Sequence, residues 1–221
     1  MGFDITNVTW EGPACDDAGL LANVPAALRA LLDQTPSGFI QFHGGLHYRG
    51  ACRQPRWHSL RAAWLGPKAI HKAYPRMSKE DIPFAQDYLG NQYILRDEAV
   101  MRVMGETGEI GPPIAGLAVI DKDVTIDPPA LRLEVFIPAI QGFDGALDLD
   151  LLDQWVKAGQ TLEPGDLMHV YPPLCSREAA SGIGLSAGTM KAQDRLDFLA
   201  TVARAVREAE PGTLPSFPLT R

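Results

Sequence analysis

No stretch of this chain approaches the roughly 20 consecutive apolar residues that a membrane helix requires. The first ten residues hold no basic residue followed by an apolar run, so the expectation is a cytoplasmic protein without a secretory leader. Cysteine is scarce: Cys15, Cys52 and Cys175 are odd in number, scattered and without a Cys-x-x-Cys spacing. That pattern argues against a disulfide framework and a zinc ribbon, and fits a reducing compartment. A Gly-x-Ser-x-Gly elbow and a His-Glu-x-x-His pair are both missing, so neither common hydrolase pattern is written here. Acidic residues are absent between Arg49 and Lys79, although that segment carries eight basic ones: Arg49, Arg53, Arg56, Arg61, Lys68, Lys72, Arg76 and Lys79.

What is present is the composition of a globular domain. With 221 residues, 46% of them apolar, the chain can bury a sizeable core, and its length suits one domain with an extension. The charge is unevenly placed. From Asp121 to Asp166 ten acids face only Lys122, Arg132 and Lys157, a local excess equal to the formal charge of −7 of the whole chain. A surface of one sign attracts partners of the other and speeds their encounter.

Along the chain, residues 1–23 show no sustained period and are expected to wrap the surface. Residues 24–34 form a helix candidate, with Asn23 as cap and Val24, Leu28, Leu31 and Leu32 on one face. Residues 39–43 and 46–49 read as strands around Gly44-Gly45. Trp57, Leu60, Trp64 and Leu65 recur at helical spacing, and a short helix through Ile70 and Tyr74 ends at Pro75. In the stretch from Ile82 to Arg96, Gly90-Asn91 offers a turn and residues 92–96 a strand, continued as a meander by 99–104. Gly111-Pro112-Pro113 reads as a break, and 117–120 and 131–137 as further strands. Residues 147–158 form an amphipathic helix with Leu147, Leu151, Leu152 and Trp155 inward. The last helix is expected over 190–210, capped by Thr189, with Leu196, Leu199, Val202, Ala203 and Val206 inward. Helices and hairpins without regular alternation predict an α+β fold: a twisted, mainly antiparallel sheet with helices packed against it and a helical C-terminal extension. The division is a surface segment over 1–23, a core over 24–137 and an extension over 138–221.

Few residues suggest chemistry. His43, His47, Cys52 and His58 lie close in sequence, but their spacing matches no zinc signature, so no metal and no cofactor is expected. The Gly182 to Gly188 run lacks the strand that a dinucleotide fingerprint needs ahead of it, and reads as a loop before the last helix. Trp57, Trp64 and Tyr74 interleave the basic run as in nucleic-acid binders, yet both tryptophans fall on the apolar side of a helix and the net charge opposes a polyanion.

The segment from Trp57 to Ile110 resembles the SUKH superfamily of bacterial immunity proteins, which includes the Smi/Knr type of cell-wall-assembly regulator. The resemblance is carried by Trp57-His58-Ser59-Leu60 and Trp64, by the block from Ile82 to Tyr93, then by Val100-Met101-Arg102-Val103 and Gly105-Glu106-Thr107-Gly108-Glu109. It covers about a quarter of the chain. It implies an α+β fold and a protein that binds and neutralises a cognate toxin domain, often a nuclease, with no shared catalytic residues. Trp57, Pro83, Phe84, Asp87, Gly90 and Tyr93 would be framework positions. A basic nuclease would meet an acidic surface, for which Asp121, Asp123, Asp127, Asp144, Asp148, Asp150 and Asp153 are the candidates. The alternatives are a regulatory protein-binding scaffold with no toxin partner and a nucleic-acid-binding protein.

Overall fold

The structure, a computed structural model, describes residues 3–114, 132–142, 147–182 and 184–217. In chain order the elements are β1 (Val8–Glu11), α1 (Ala18–Leu21), α2 (Ala26–Gln34), β2 (Phe39–Gln41), β3 (Leu46–Tyr48), α3 (Leu60–Leu65), β4 (Ile82–Asp87), β5 (Gln92–Arg96), β6 (Ala99–Val103) and β7 (Ile110–Pro113). There follow α4 (Leu133–Gly142), α5 (Asp150–Lys157), β8 (Asp166–Tyr171), α6 (Arg177–Ala180), β9 (Ser186–Lys191) and α7 (Ala192–Glu208).

Strands β1 to β7 form a single antiparallel sheet in which each strand pairs with the next in sequence. β8 and β9 make a separate hairpin. The α+β expectation therefore holds. One face of the large sheet packs Phe39, Tyr48, Phe84, Tyr93 and Leu95 against Leu28, Leu31 and Leu32 of α2 and Phe136 and Ile137 of α4. Ile94 and Val103 point to the other face, where they meet Ile70, Tyr74, Met77 and Ala203 of α7. Because both faces are covered, every residue of β4 is buried, a pattern that strict alternation could not reveal.

Two close turns hold the meander. Asp97 and Glu98 both take positive φ, 47° and 69°, as a two-residue hairpin demands. Gly90 sits at φ +93°, where an added Cβ would meet Leu199 Cδ1 at 2.6 Å, so both the turn and the approach of α7 need glycine.

Several sequence expectations are corrected. The N-terminal segment does more than wrap the surface: β1 extends the sheet, and Asp17 and Leu20 are buried. The core boundary at 137 falls inside α4. That segment is a helix rather than a strand, since Leu133, Phe136, Ile137 and Ile140 are buried at helical spacing while Val135 is 52% exposed. Gly111-Pro112-Pro113 does not break the chain but lies in β7, the edge strand, beside a register irregularity in its pairing with β6, the setting in which a sheet tolerates proline. Asn23 bonds back to Gly19 O instead of capping α2, whose N-cap position is Pro25. α3 begins only after Trp57, capped by Ser59, and Leu65 is 52% exposed rather than inward. Residues 186–191 pair with β8, so the last helix starts at Ala192 with Lys191, not Thr189, at its cap position. The strand expected over 117–120 lies outside the described residues.

The C-terminal elements dock on the sheet through its turns. Met168 N donates to Tyr88 O at 2.8 Å, and Tyr88, Leu152, Met168 and Val170 share a small core. Glu106, at the tip of the β6–β7 hairpin, accepts from the N–H groups of Leu174 at 3.1 Å and Cys175 at 2.9 Å. Arg195, 1% exposed within α7, reaches His169 Nδ1 at 3.1 Å and Glu106 at 3.9 Å.

Candidate functional site

Strand register places a polar row inside the sheet. Ile40, His47, Gln86, Gln92 and Val103 stand opposite one another across β2 to β6. Arg49, two residues beyond His47, lies on the same face and is 3% exposed. The β4–β5 ladder slips at Phe84, with Pro83 opposite Ile94 and Ala85 opposite Tyr93. Arg49 Nη1 donates to Pro83 O at 2.8 Å and Ala85 O at 3.2 Å on either side of that irregularity, while Nη2 donates to Gln86 Oε1 and Gln92 Oε1, each at 2.7 Å. All four acceptors are uncharged, and burial without a counter-ion pulls the guanidinium pKa down to about 9.

The histidines complete the row. His58 Nε2 lies 2.5 Å from Ser37 O, a carbonyl that can only accept, so His58 carries its proton there. Its Nδ1 then accepts from His47 Nε2 at 2.6 Å, and His47 Nδ1 accepts from the Gln86 amide at 3.2 Å. Every ring nitrogen is thus used, which leaves no lone pair for a metal. His43 is exposed and Cys52 is buried, with neither bonded to the pair. The four candidate ligands do not converge, and among the described residues no group of three or more His, Cys, Asp or Glu side chains could hold a metal.

Burial holds both rings neutral: His47 titrates well below the ordinary histidine value, and His58 is brought down to about 4, with the Arg49 charge adding to each. The unfolded chain binds protons on these rings below about pH 6.5, whereas the folded one does so only near pH 4 or lower. Their contribution to stability is therefore full above pH 6.5 and is lost as pH falls toward 4. Urea midpoints at pH 7.5, 6.0 and 5.0 should fall steadily, and the fall between pH 7.5 and 6.0 should shrink in His58→Phe. Equal midpoints at pH 7.5 and 5.0 would contradict neutral buried imidazoles.

The framework candidates occupy structural places. Phe84 and Tyr93 are core, Pro83 lies at the ladder slip, Gly90 is the turn residue, and Trp57 is half-buried against Trp10, His47 and His58 at 5.1–5.4 Å between ring centroids. Asp87 closes the β4–β5 turn: Oδ1 accepts from Leu89 N at 3.0 Å and Asn91 N at 2.9 Å, and Oδ2 from Asn91 Nδ2 at 2.8 Å and Arg102 Nη2 at 2.6 Å.

Of the acidic candidates, Asp121, Asp123, Asp127 and Asp144 lie outside the described residues. Asp148, Asp150 and Asp153 are exposed at the start of α5 and have no ion pair among the described residues. Leu152, buried against Tyr88 and Met168, fixes that helix to the sheet.

The basic run has a different destination. Arg49, Arg53, Arg56, Arg61 and Lys68 line a cleft of about 500 Å³ whose far wall is α7 and whose lining includes one carboxylate, Asp197. A second cavity of about 540 Å³ continues past Arg56, Trp57 and Lys68 to Lys191. Arg61 is tied to Asp17 and Lys68 to Asp197 at 2.7 Å, whereas Arg53 and Arg56 are exposed and have no ion pair among the described residues. Sequence reading missed this cleft and the Arg49 row. The segment without acids was its visible signal, but the facing wall comes from α7, far along the chain.

Comparison with protein-family models, with curated proteins and with solved structures found no match to this chain. No helix among the described residues is long and apolar enough to cross a membrane.

Proposed function

We propose that this is a non-enzymatic, cytoplasmic immunity protein of the SUKH type, which neutralises a cognate toxin, a basic nuclease domain, by covering it with an acidic surface. The observation that carries the reading is the start of α5: three exposed carboxylates free of ion pairs among the described residues, Asp150 and Asp153 on a helix anchored by Leu152 and Asp148 just ahead of it. Carboxylates held on a fixed element and not already neutralised are available to a cationic partner, raising its rate of encounter and selecting against anionic ones. The engagement of His47 and His58 with each other, and of Arg49 with Gln86 and Gln92, adds support, because these hydrogen bonds tie the groups to the sheet. Burial also pushes the Cys52 thiol up to about 11 and the Cys175 thiol to about 12, away from the thiolate a nucleophile requires.

The test is capture by the tagged protein from the native organism's lysate, washed at low and raised salt. Any retained basic protein is then assayed for toxicity or nuclease activity with and without an equimolar amount of this chain. One stoichiometric basic partner is expected, inhibited on mixing. Its affinity should fall about tenfold when Asp148, Asp150 and Asp153 are together changed to Asn, chiefly through slower association. A partner that ignores those substitutions, or whose activity survives mixing, would remove the reading.

A further inference from the structure

The cationic cleft is not explained by an acidic, toxin-facing surface. In a chain of formal charge −7, five basic residues and one acid line this cavity. Folding has neutralised part of that charge: Arg61 is bound to Asp17 and Lys68 to Asp197. Arg53 and Arg56, three residues apart on the segment leading into α3, are exposed, line the cleft and have no ion pair among the described residues. Gathering like charges around a concavity is unfavourable unless an anion enters, and low-dielectric walls strengthen its attraction.

The remaining lining defines the rest of the ligand. Ile70, Ala73, Leu196 and Ala200 form an apolar side, and the half-buried Trp57 indole stands beside Arg56. About 500 Å³ is the size of a small-molecule site, with room for a mononucleotide and not for a duplex. A monocarboxylate would leave one of the two unpaired guanidinium groups without a counter-charge, whereas a phosphate monoester dianion balances both and matches their planar forks. We propose that the cleft between the Arg49 to Lys68 segment and α7 binds a phosphorylated small molecule of nucleotide size, its phosphate at Arg53 and Arg56 and its flat body against Ile70, Ala73, Leu196 and Ala200.

This site is separate from α5 and stands whether or not a toxin partner exists. The experiment is calorimetric titration of the full chain at low ionic strength with AMP, inorganic phosphate and a short poly-glutamate peptide. AMP should bind with one-to-one stoichiometry, at least tenfold more tightly than inorganic phosphate or the peptide, and should weaken as salt is raised. Arg53→Ala and Arg56→Ala should each weaken it about tenfold, one charge-assisted hydrogen bond's worth. Both side chains are exposed, so the fold is expected to survive, and an unchanged circular dichroism spectrum checks this. Ala200→Phe, which fills the apolar side, should abolish AMP binding and spare the weak binding of phosphate. The Asp148, Asp150 and Asp153 to Asn variant should bind AMP as the parent does, which keeps this result independent of the toxin assay. Absence of saturable AMP binding would overturn the proposal. So would affinity no greater than that of phosphate, preference for the acidic peptide, or indifference to Arg53 and Arg56.

Discussion

Replacement of Arg49 by alanine is expected to destabilise the protein by about 3–5 kcal/mol, the scale for removing one member of a buried charged network. The guanidinium donates to Pro83 O, Ala85 O, Gln86 Oε1 and Gln92 Oε1 together, tying the end of β3 to β4 and β5, and of these acceptors Gln86 Oε1 also takes the Gln92 amide at 3.4 Å. Its loss leaves these buried acceptors without their charged donor and opens a void beside the cleft that Arg49 lines. For a chain of this length the loss corresponds to a fall in thermal midpoint of roughly 6–20 °C. Lysine keeps the charge, but a single ammonium cannot span acceptors on two strands, so Arg49→Lys should recover less than half of the loss. Gln86→Ala combined with Arg49→Ala should cost less than the sum of the two, because both remove the same bond. Equilibrium urea unfolding measures all four variants. A cost below about 1 kcal/mol for Arg49→Ala would show that the network is not what holds these strands.

The second large effect is expected at Asp87, 3% exposed. Its carboxylate accepts four hydrogen bonds, three from the Leu89–Asn91 turn and one from Arg102. Asp87→Ala strips the acceptor from all four and leaves the Arg102 charge, partly buried and set over the Tyr93 ring at 5.9 Å, without its partner. About 3 kcal/mol is the expected cost, from the loss of charge-assisted bonds and the orphaned buried donors. Asp87→Asn should be nearly as damaging, since one oxygen becomes an amide that meets the donors Asn91 Nδ2 and Arg102 Nη2. Because Met168 N bonds to Tyr88 O and Leu199 packs on Gly90, loosening this turn should also free the C-terminal elements. Amide hydrogen exchange should show lost protection along β8 and the first half of α7. Exchange that rises only within residues 88–91 would separate the turn from the docking of the C-terminal elements.

These two residues mark how far a sequence reading reaches. Local chemistry wrote the Asp97-Glu98 hairpin, the Gly90 turn and the long apolar stripe of α7, since each rests on neighbours a few positions apart. The uneven placement of charge was equally plain. It gave the acidic start of α5 as a surface and marked the basic segment as unusual, without locating its other wall. Where two local patterns competed, tertiary partners decided. Residues 131–137 fit a strand by alternation, but the sheet face above Phe84 and Tyr93 offered a helix a place to bury Leu133, Phe136, Ile137 and Ile140 together. Ser186–Lys191 became a strand only because β8 lies beside it to satisfy its backbone. The same holds for the charged groups. Nothing in the local sequence marks Arg49 or Arg195 for burial; register and packing bring acceptors to them from distant segments. Periodicity records which side chains avoid water, and composition records how much charge there is. Only the closed fold determines which buried polar groups face one another, because hydrogen bonds require distances and directions that sequence separation does not encode.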